Sequence, residues 1–207
     1  MTSLLLIRHG ETIWNAERRL QGQTDIPLSS TGRSMVETWS VPDAFNQFEW
    51  VSSPLQRATE TAKILGHMPI IEPALREMSW GQWEGLNWKA LQIDLGREAM
   101  LAHGADSLDF RPPQGESPRD LQNRLRPWLE QIERPTVAVC HKGVLQAIYA
   151  LASGWRMSGK SKIKFRHGDA FLFQVNSGTV TEDKMNIALT NCSTLKIQAE
   201  HPLNYNN

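Results

Sequence analysis

The stretch that decides the fold lies near the amino end and reads SLLLIRHG, residues 3–10. A second stretch of the same kind, TVAVCHKG, occupies residues 136–143. Each is a nearly continuous apolar run, which is typical of a central strand covered by helices on both faces. Each run ends at a histidine, His9 in the first stretch and His141 in the second. Because ligands bind at the carboxyl edge of an open parallel sheet, the sequence predicts a ligand site there.

Neighbouring strands lie ~4.8 Å apart, so His9 and His141 meet over one small group if their strands are adjacent. The other strands are predicted at 49–52, 69–72 and 170–175, with one more within 186–198. Helical patterns separate them along the chain. This alternation predicts a three-layer α/β fold with a mostly parallel sheet between helices.

A helix that carries an arginine is predicted after residue 52. Ser53, Pro54 and Gln56 have the pattern of a capping box, with Ser53 as the N-cap. An apolar stripe follows: Leu55, Ala58, Ala62 and Leu65. Arg57 lies off this stripe. Since helical side chains lean toward the amino terminus, Arg57 can reach the edge where the histidines lie.

Two further helices are predicted. Ser117 followed by Pro118 is a helix start signal, and Pro127 predicts a kink or a split just before it. Residues 144–152 are apolar almost all round, which predicts a buried helix that ends near Gly154. Such a helix would aim free backbone N–H groups at the histidine edge, where they favour an anion.

Residues 78–116 fit the α/β pattern poorly, and we call them the cap segment. They are rich in Trp and Gly and close on two consecutive prolines. We interpret them as a cap inserted over the sheet edge of a single domain that spans 1–207. Three tryptophans of this segment either pack within the cap or form a wall of a substrate pocket: Trp80, Trp83 and Trp88.

Composition excludes several classes of partner. The chain has 207 residues, with 22 Lys plus Arg against 22 Asp plus Glu, so its formal net charge is 0. This balance speaks against nucleic acid or an anionic membrane as a partner. No apolar run approaches the ~20 residues of a membrane span, and the run before Arg8 is too short for a signal peptide. We therefore expect a cytoplasmic protein in which Cys140 and Cys192 do not form a disulfide.

The charged residues near the sheet edge suggest a phosphate site. Four side chains converge there: Arg8, His9, Arg57 and His141. Two arginines without a matching acid suit a dianion, and they keep His9 neutral and nucleophilic near pH 7. Two carboxylates in or next to the cap segment can serve as the acid for a leaving oxygen, Glu77 and Glu84. The residues alone leave that choice open.

At this point the chain resembles the histidine phosphatase superfamily, which includes cofactor-dependent phosphoglycerate mutases and phosphatases such as alpha-ribazole phosphatase. Four segments carry the resemblance, in order: LIRHGET (6–12) with Asn15, SPLQRA (53–58), LRE (75–77) followed by Gly81 and WEG (83–85), and GES (115–117). The resemblance implies a phosphoglycerate mutase-like fold.

The resemblance also implies a role for each matched residue. His9 is the nucleophile that becomes phosphorylated, and Glu77 is the proton donor and later the base for water. Three side chains hold the phosphate: Arg8, Arg57 and His141. The phosphate or substrate side is lined by Asn15, Gln21 and Gly22.

Two departures from the family pattern bear on substrate and activity. Lys142 stands where the family usually has glycine. It is strained if its φ must be positive, and its ammonium group either adds charge at the pocket rim or points to solvent. The mutases usually have Glu-Arg-x-Tyr-Gly and a longer cap, whereas Glu77 opens the sequence EMSWG (77–81) here. A shorter cap favours water as the acceptor.

We therefore expect a phosphomonoester hydrolase that acts on a small phosphorylated metabolite. The alternatives are a phosphoglycerate mutase and a non-catalytic phosphate-binding or adaptor protein. No metal or organic cofactor is expected, because metal-ligand spacings are absent and the arginines repel a cation. No role is assigned to four histidines: His67, His103, His167 and His201. The oligomeric state is left open.

Overall fold

A computed structural model describes residues 1–102, 108–157 and 159–189, with the side chains of 97–102 left out. The strands in these residues are β1 (Thr2–Arg8), β2 (Glu49–Ser52), β3 (Ile70–Ile71), β4 (Thr136–Cys140), β5 (Asp169–Asn176) and β6 (Thr179–Ala188). They form one sheet in the order β3-β2-β4-β1-β5-β6. The α-helices are α1 (Ile13–Ala16), α2 (Ser30–Glu37), α3 (Gln56–Ile64), α4 (Trp88–Ala102), α5 (Pro118–Glu130) and α6 (Lys142–Ser153).

The sheet is parallel through its centre and antiparallel at one side. β1 pairs with β4, β4 with β2 and β2 with β3, all in parallel. β5 pairs antiparallel with β1, and β6 antiparallel with β5. Helices flank this mixed sheet, so the predicted α/β fold is confirmed. Arg8 lies opposite Cys140 in the β1–β4 ladder, which places His9 beside His141 just beyond the two strands.

β1 shows why its apolar run is continuous. Leu4 and Leu6 pack with residues of α5 and α6 in one core cluster, whereas Leu5 and Ile7 pack with residues of α2 and α3 in another. All four side chains are fully buried. Since successive strand residues face opposite sides of the sheet, both faces must be apolar where helices cover both. Each such burial contributes roughly 1.5–3 kcal/mol.

The predicted buried helix is α6, which begins at Lys142 and ends at Ser153. Gly154 follows with φ 72° and closes the helix in the left-handed conformation, where glycine carries no Cβ penalty. Lys142 does not have a positive φ, so the strain considered for this position does not arise.

The last strand lies earlier than predicted. β6 spans Thr179–Ala188 rather than a segment within 186–198, of which residues 190–198 and Cys192 lie outside the described part. Ser177 and Gly178, with φ of 46° and 80°, form a two-residue turn that joins β5 to β6. Most side chains of this edge strand are exposed, so its apolar pattern in the sequence is weak.

The predicted cap of α3 is wrong. The N-cap is Leu55, which makes no side-chain capping bond, and the helix begins at Gln56. Instead, the carboxylate of Asp25 accepts the Gln56 backbone N–H at 2.7 Å. Ser53 Oγ lies 2.7 Å from His141 Nε2, so this hydroxyl is hydrogen-bonded to His141 and does not cap the helix. A residue distant in sequence has taken the capping role that the local pattern gave to Ser53.

The start of α5 is as predicted. Ser117 is its N-cap and forms a capping box with Asp120. The expected split before Pro127 does not occur, since α5 continues to Glu130. Pro127 and Asn123 are both exposed, so the carbonyl of Asn123 that loses its helical partner lies on the solvent side.

The cap segment has a small core of its own. Trp83, Leu91 and Phe110 form a buried cluster, and Trp80 and Trp88 pack against it. Across the described ranges, no helix combines the length and the apolar character needed to cross a membrane. The location in the cytoplasm stays a prediction.

Candidate active site

His9 and His141 lie side by side at the carboxyl ends of β1 and β4. Their ring centroids are 5.1 Å apart, and both side chains are buried. His9 Nδ1 donates to the carbonyl oxygen of Gly10 at 2.6 Å. A carbonyl only accepts, so the proton of a neutral His9 sits on Nδ1 and the lone pair on Nε2.

The surroundings of His9 keep its ring neutral. Burial lowers the pKa of His9 well below its ordinary value, and the charges of Arg57 and Arg8 lower it further. The bond to the Gly10 carbonyl opposes this shift but does not reverse it. Near pH 7 His9 is therefore an uncharged imidazole with a free Nε2, which is the form that a nucleophile requires.

Arg57 lies behind the histidines and is fully buried. Its Nη2 donates to the carbonyl of Gly22 at 2.6 Å and its Nη1 to the carbonyl of Thr24 at 3.0 Å. Its Nε donates to His141 Nδ1 at 3.2 Å. Since His141 Nδ1 accepts, its Nε2 donates to Ser53 Oγ. The guanidinium group thus fixes both the tautomer of His141 and the turn at 22–24.

Arg8 and Gln21 contribute buried donors to the same site. Arg8 Nη1 donates to the carbonyl of Phe165 at 3.0 Å, while Arg8 Nε and Gln21 Nε2 are buried and have no hydrogen-bond partner among the described residues. Burial lowers the pKa of Arg8 to about 10, which leaves it charged. An unpaired buried donor costs about 1–3 kcal/mol. A bound oxyanion would satisfy both.

The structure separates the two candidate acids. Glu84 accepts backbone N–H groups of Gln23 at 2.9 Å, Trp80 at 3.1 Å and Thr24 at 2.7 Å. Its carboxylate therefore holds the 22–24 turn to the cap segment. Any side chain at Gly22 would collide with this carboxylate, which explains the glycine. Glu84 is occupied by structural contacts.

Glu77 is buried and faces the histidine edge. Its oxygens accept the backbone N–H groups of Met78 at 2.8 Å and Gly143 at 3.0 Å. Burial raises the pKa of Glu77, although both N–H bonds and the charges of Arg57 and Arg8 oppose the rise. A carboxyl group with a raised pKa retains a proton to higher pH, which suits a general acid.

An ion pair holds the segment that carries Glu77. Arg124 of α5 donates from Nε and Nη2 to both oxygens of Glu116, each at 2.9 Å. Arg124 also donates to the carbonyls of Ala74, Arg76 and Glu77. The pattern GES at 115–117 pointed to this turn but not to its function as a clamp.

His167 belongs to the site, although no role was assigned to it from the sequence. Its Nδ1 donates to the carbonyl of His9 at 2.8 Å, and the two rings meet edge-on at 5.9 Å. Burial and then Arg8 lower the pKa of His167 to about 4, so it is neutral near pH 7. No sequence motif marked it. His67 stacks on Trp50 elsewhere, and His103 and His201 lie outside the described residues.

One cavity of about 390 Å³ joins these groups. Polar side chains from the predicted set line it: Arg8, His9, Asn15, Gln21, Glu77 and Lys142. Arg57, His141 and Gly22 lie behind this lining. Of the cap tryptophans, Trp80 and Trp88 line the cavity and Trp83 is buried behind them. Within the described ranges, no group of three or more His, Cys, Asp or Glu is placed to hold a metal ion.

Gly143→Ala tests the position of the Glu77 carboxylate. A Cβ at residue 143 would collide with Glu77 Oε1. We expect alkyl phosphate turnover to fall about 10- to 100-fold, because the acid must move away from its N–H donors. Thermal melting is the control. A variant that still melts in one cooperative transition shows that the lost turnover comes from the site and not from unfolding. Normal turnover would show that this placement of Glu77 is not needed.

Comparisons with known proteins show the family of the chain. Residues 4–188 match the histidine phosphatase superfamily (branch 1), and the chain belongs to this superfamily. The resemblance inferred from the four segments is therefore confirmed.

Some relatives are named as phosphatases and others as mutases. The chain is 33% identical to a glucosyl-3-phosphoglycerate phosphatase of Mycolicibacterium vanbaalenii, over 73% of this chain and 74% of that protein. It is 37% identical to a probable phosphoglycerate mutase, GpmB, of Cronobacter sakazakii, over 60% of each. Among solved structures, a phosphoglycerate mutase of Thermus thermophilus superposes with a TM-score of 0.70, at 30% identity, over 90% of this chain and 99% of that one.

Proposed function

We propose that the protein hydrolyses phosphate monoesters of a small metabolite through a phosphohistidine at His9. One observation carries this proposal: the unprotonated Nε2 of a neutral His9 and a buried Glu77 with a raised pKa belong to one cavity. A nucleophile and a proton donor with these properties are what transfer of a phosphoryl group requires. The phosphatase name of the Mycolicibacterium vanbaalenii relative supports this direction.

In the first step, His9 Nε2 attacks the phosphorus atom of the bound ester. The P–N bond forms as the P–O bond to the alcohol breaks, and Glu77 gives its proton to the leaving oxygen. Arg8 and Arg57 neutralise the charge of the phosphoryl oxygens, with His141 held in place by Arg57. The Nδ1–H bond to Gly10 stabilises the positive charge that develops on the His9 ring.

In the second step, water replaces the alcohol. Glu77, now a carboxylate, takes a proton from the water as its oxygen bonds to phosphorus. The P–N bond then breaks, which releases phosphate and restores neutral His9. The cations in this scheme are protein side chains, and we propose that no metal or organic cofactor takes part.

The remaining predicted residues have supporting positions. Asn15 and Gln21 line the cavity, and the Gln21 amide offers its unpaired donor to a phosphate oxygen. Gly22 acts through its carbonyl, which orients Arg57. Lys142 stands on the lining with an exposed side chain, where its ammonium adds positive charge. Residues 78–116 would then form the cap of a single catalytic domain.

A phosphoglycerate mutase is the second candidate, favoured by the names of the Cronobacter sakazakii relative and the Thermus thermophilus structure. A mutase must keep water from its phosphohistidine while the bound intermediate reorients in the site. With 3-phosphoglycerate and catalytic bisphosphoglycerate, we expect free phosphate to form faster than 2-phosphoglycerate. Rapid isomerisation with little phosphate released would assign the chain to the mutases.

The third candidate is a protein that binds phosphate without turnover. A generic aryl phosphate separates this candidate from both enzymes, since its good leaving group makes minimal demands on the acid. Binding of inorganic phosphate without hydrolysis of the aryl ester would favour this candidate.

A further inference from the structure

The cavity has a second wall that is apolar and largely aromatic. We call it the aromatic wall, and four side chains that pack in one cluster form it: Leu20, Trp80, Trp88 and Phe110. The phosphate chemistry described above uses none of them. Their place on the same cavity as His9 means that the part of the substrate beyond the phosphate meets them.

The rings of the aromatic wall support one another. Trp80 meets Trp88 at 5.7 Å and Phe110 at 6.0 Å, and Trp88 meets Phe110 at 6.1 Å, each edge to face. Trp83 is buried behind them, 5.8 Å from Phe110. Edge-to-face contacts of this kind are favourable and directional, so the rings form a preformed surface.

The backbone at Trp80 and Gly81 is also held in place. Gly81 adopts a φ of 51°, and any side chain there would collide with the carbonyl of Pro113. The Trp80 backbone N–H donates to Glu84 at 3.1 Å. A ligand that contacts the wall therefore loses little binding energy to ordering the protein.

Among the described residues, the lining of the cavity has three cations: Arg8, Arg19 and Lys142. Arg19 is paired with Glu17 at 2.6 Å. Lys142 lines the cavity and directly follows His141, so it lies at the phosphate end. Away from that end the wall presents apolar faces. A small polar alcohol such as glycerate would leave these faces in water, whereas a flat apolar ring would cover them.

We propose that the alcohol of the substrate bears a flat, largely apolar aryl or heteroaryl ring that lies against the aromatic wall while its phosphate meets Arg8 and His9. This inference rests on the proposed function, because it takes the phosphate to be at His9. Trp88 and Trp80 then determine specificity by contact with the ring.

Two esters of primary alcohols test the proposal, 2-(1-naphthyl)ethyl phosphate and n-butyl phosphate. Their leaving oxygens are chemically alike, so the demand on Glu77 is the same. We expect kcat/KM to be roughly tenfold or more higher for the naphthyl ester. Trp88→Ala should remove most of this preference, and Trp88→Phe should restore part of it. Trp155→Ala, a change outside this cavity, should leave the preference intact.

Equal kcat/KM for the two esters, or a preference that survives Trp88→Ala, would overturn the inference. Calorimetric binding of the matching phosphonates separates it from the proposed function. If neither ester turns over but naphthylethylphosphonate binds more tightly than butylphosphonate, the hydrolase assignment fails and the ring site stands. If neither turnover nor binding distinguishes the ring, the ring site is disproved.

Discussion

In His9→Ala, hydrolysis of phosphate monoesters should fall on the order of 10⁴-fold or more, since the group that bonds to phosphorus is removed. His9 supplies the neutral ring with a free Nε2, which is buried between Arg8 and His141. Inorganic phosphate should still bind, because the arginines remain. Steady-state kinetics with an aryl and an alkyl ester measures the loss. His67→Ala is the matched control, since His67 stacks on Trp50 and does not line the cavity.

The covalent intermediate tests the same role without a variant. Wild-type protein quenched during turnover of a ³²P-labelled ester should carry label on the peptide that contains His9. A P–N bond is broken by acid and resists base, so the label should show that pattern of lability. Label on a serine or an aspartate, or normal turnover in His9→Ala, would exclude the mechanism.

Replacement of the acid has the second large effect. Glu77→Gln keeps the shape of the side chain but removes its proton donor, so kcat/KM for alkyl phosphates, which reports the phosphorylation step, should fall about 10²- to 10⁴-fold. Aryl phosphates should lose less, because their leaving groups need less protonation. Glu84→Gln is the matched control, as the Glu84 carboxylate accepts the Thr24 hydroxyl and backbone N–H groups of the 22–24 turn and of Trp80, and it does not line the cavity. A leaving-group dependence that appeared in Glu84→Gln instead would reverse the assignment of the two carboxylates.

The pH profile provides an independent measure. The productive form has His9 neutral and Glu77 protonated. The pKa of His9 is lowered and that of Glu77 is raised, both first of all by burial. With alkyl esters kcat/KM should therefore rise with pH as His9 loses its proton and fall again as Glu77 does. In Glu77→Gln the fall on the alkaline side should disappear, and its persistence would assign that limb to another group.

Part of this site could be predicted from sequence because the signals are local. The continuous apolar runs of β1 and β4 indicated strands buried on both faces, and a histidine directly after each run placed both at one edge. Arg57 was recognised from its helix and from the residues around it. The start of α5 at Ser117 and the end of α6 at Gly154 also depend on neighbours within a few residues.

The remainder was decided by contacts between residues far apart in the chain. Ser53 faces His141 rather than its own helix, and Asp25 caps that helix instead. His167 reaches His9 although 158 positions separate them, and no local pattern marks such a contact.

The same reason explains the choice of acid. The sequence determined that Glu77 and Glu84 lie in or beside one Trp-rich segment. No local pattern distinguishes which of the two carboxylates is available as the proton donor. Only the tertiary structure brings the backbone of Gln23 and Thr24 to Glu84 and that of Gly143 to Glu77. A carboxylate's role depends on burial and on the donors that surround it, and those donors come from segments that meet only when the chain has folded.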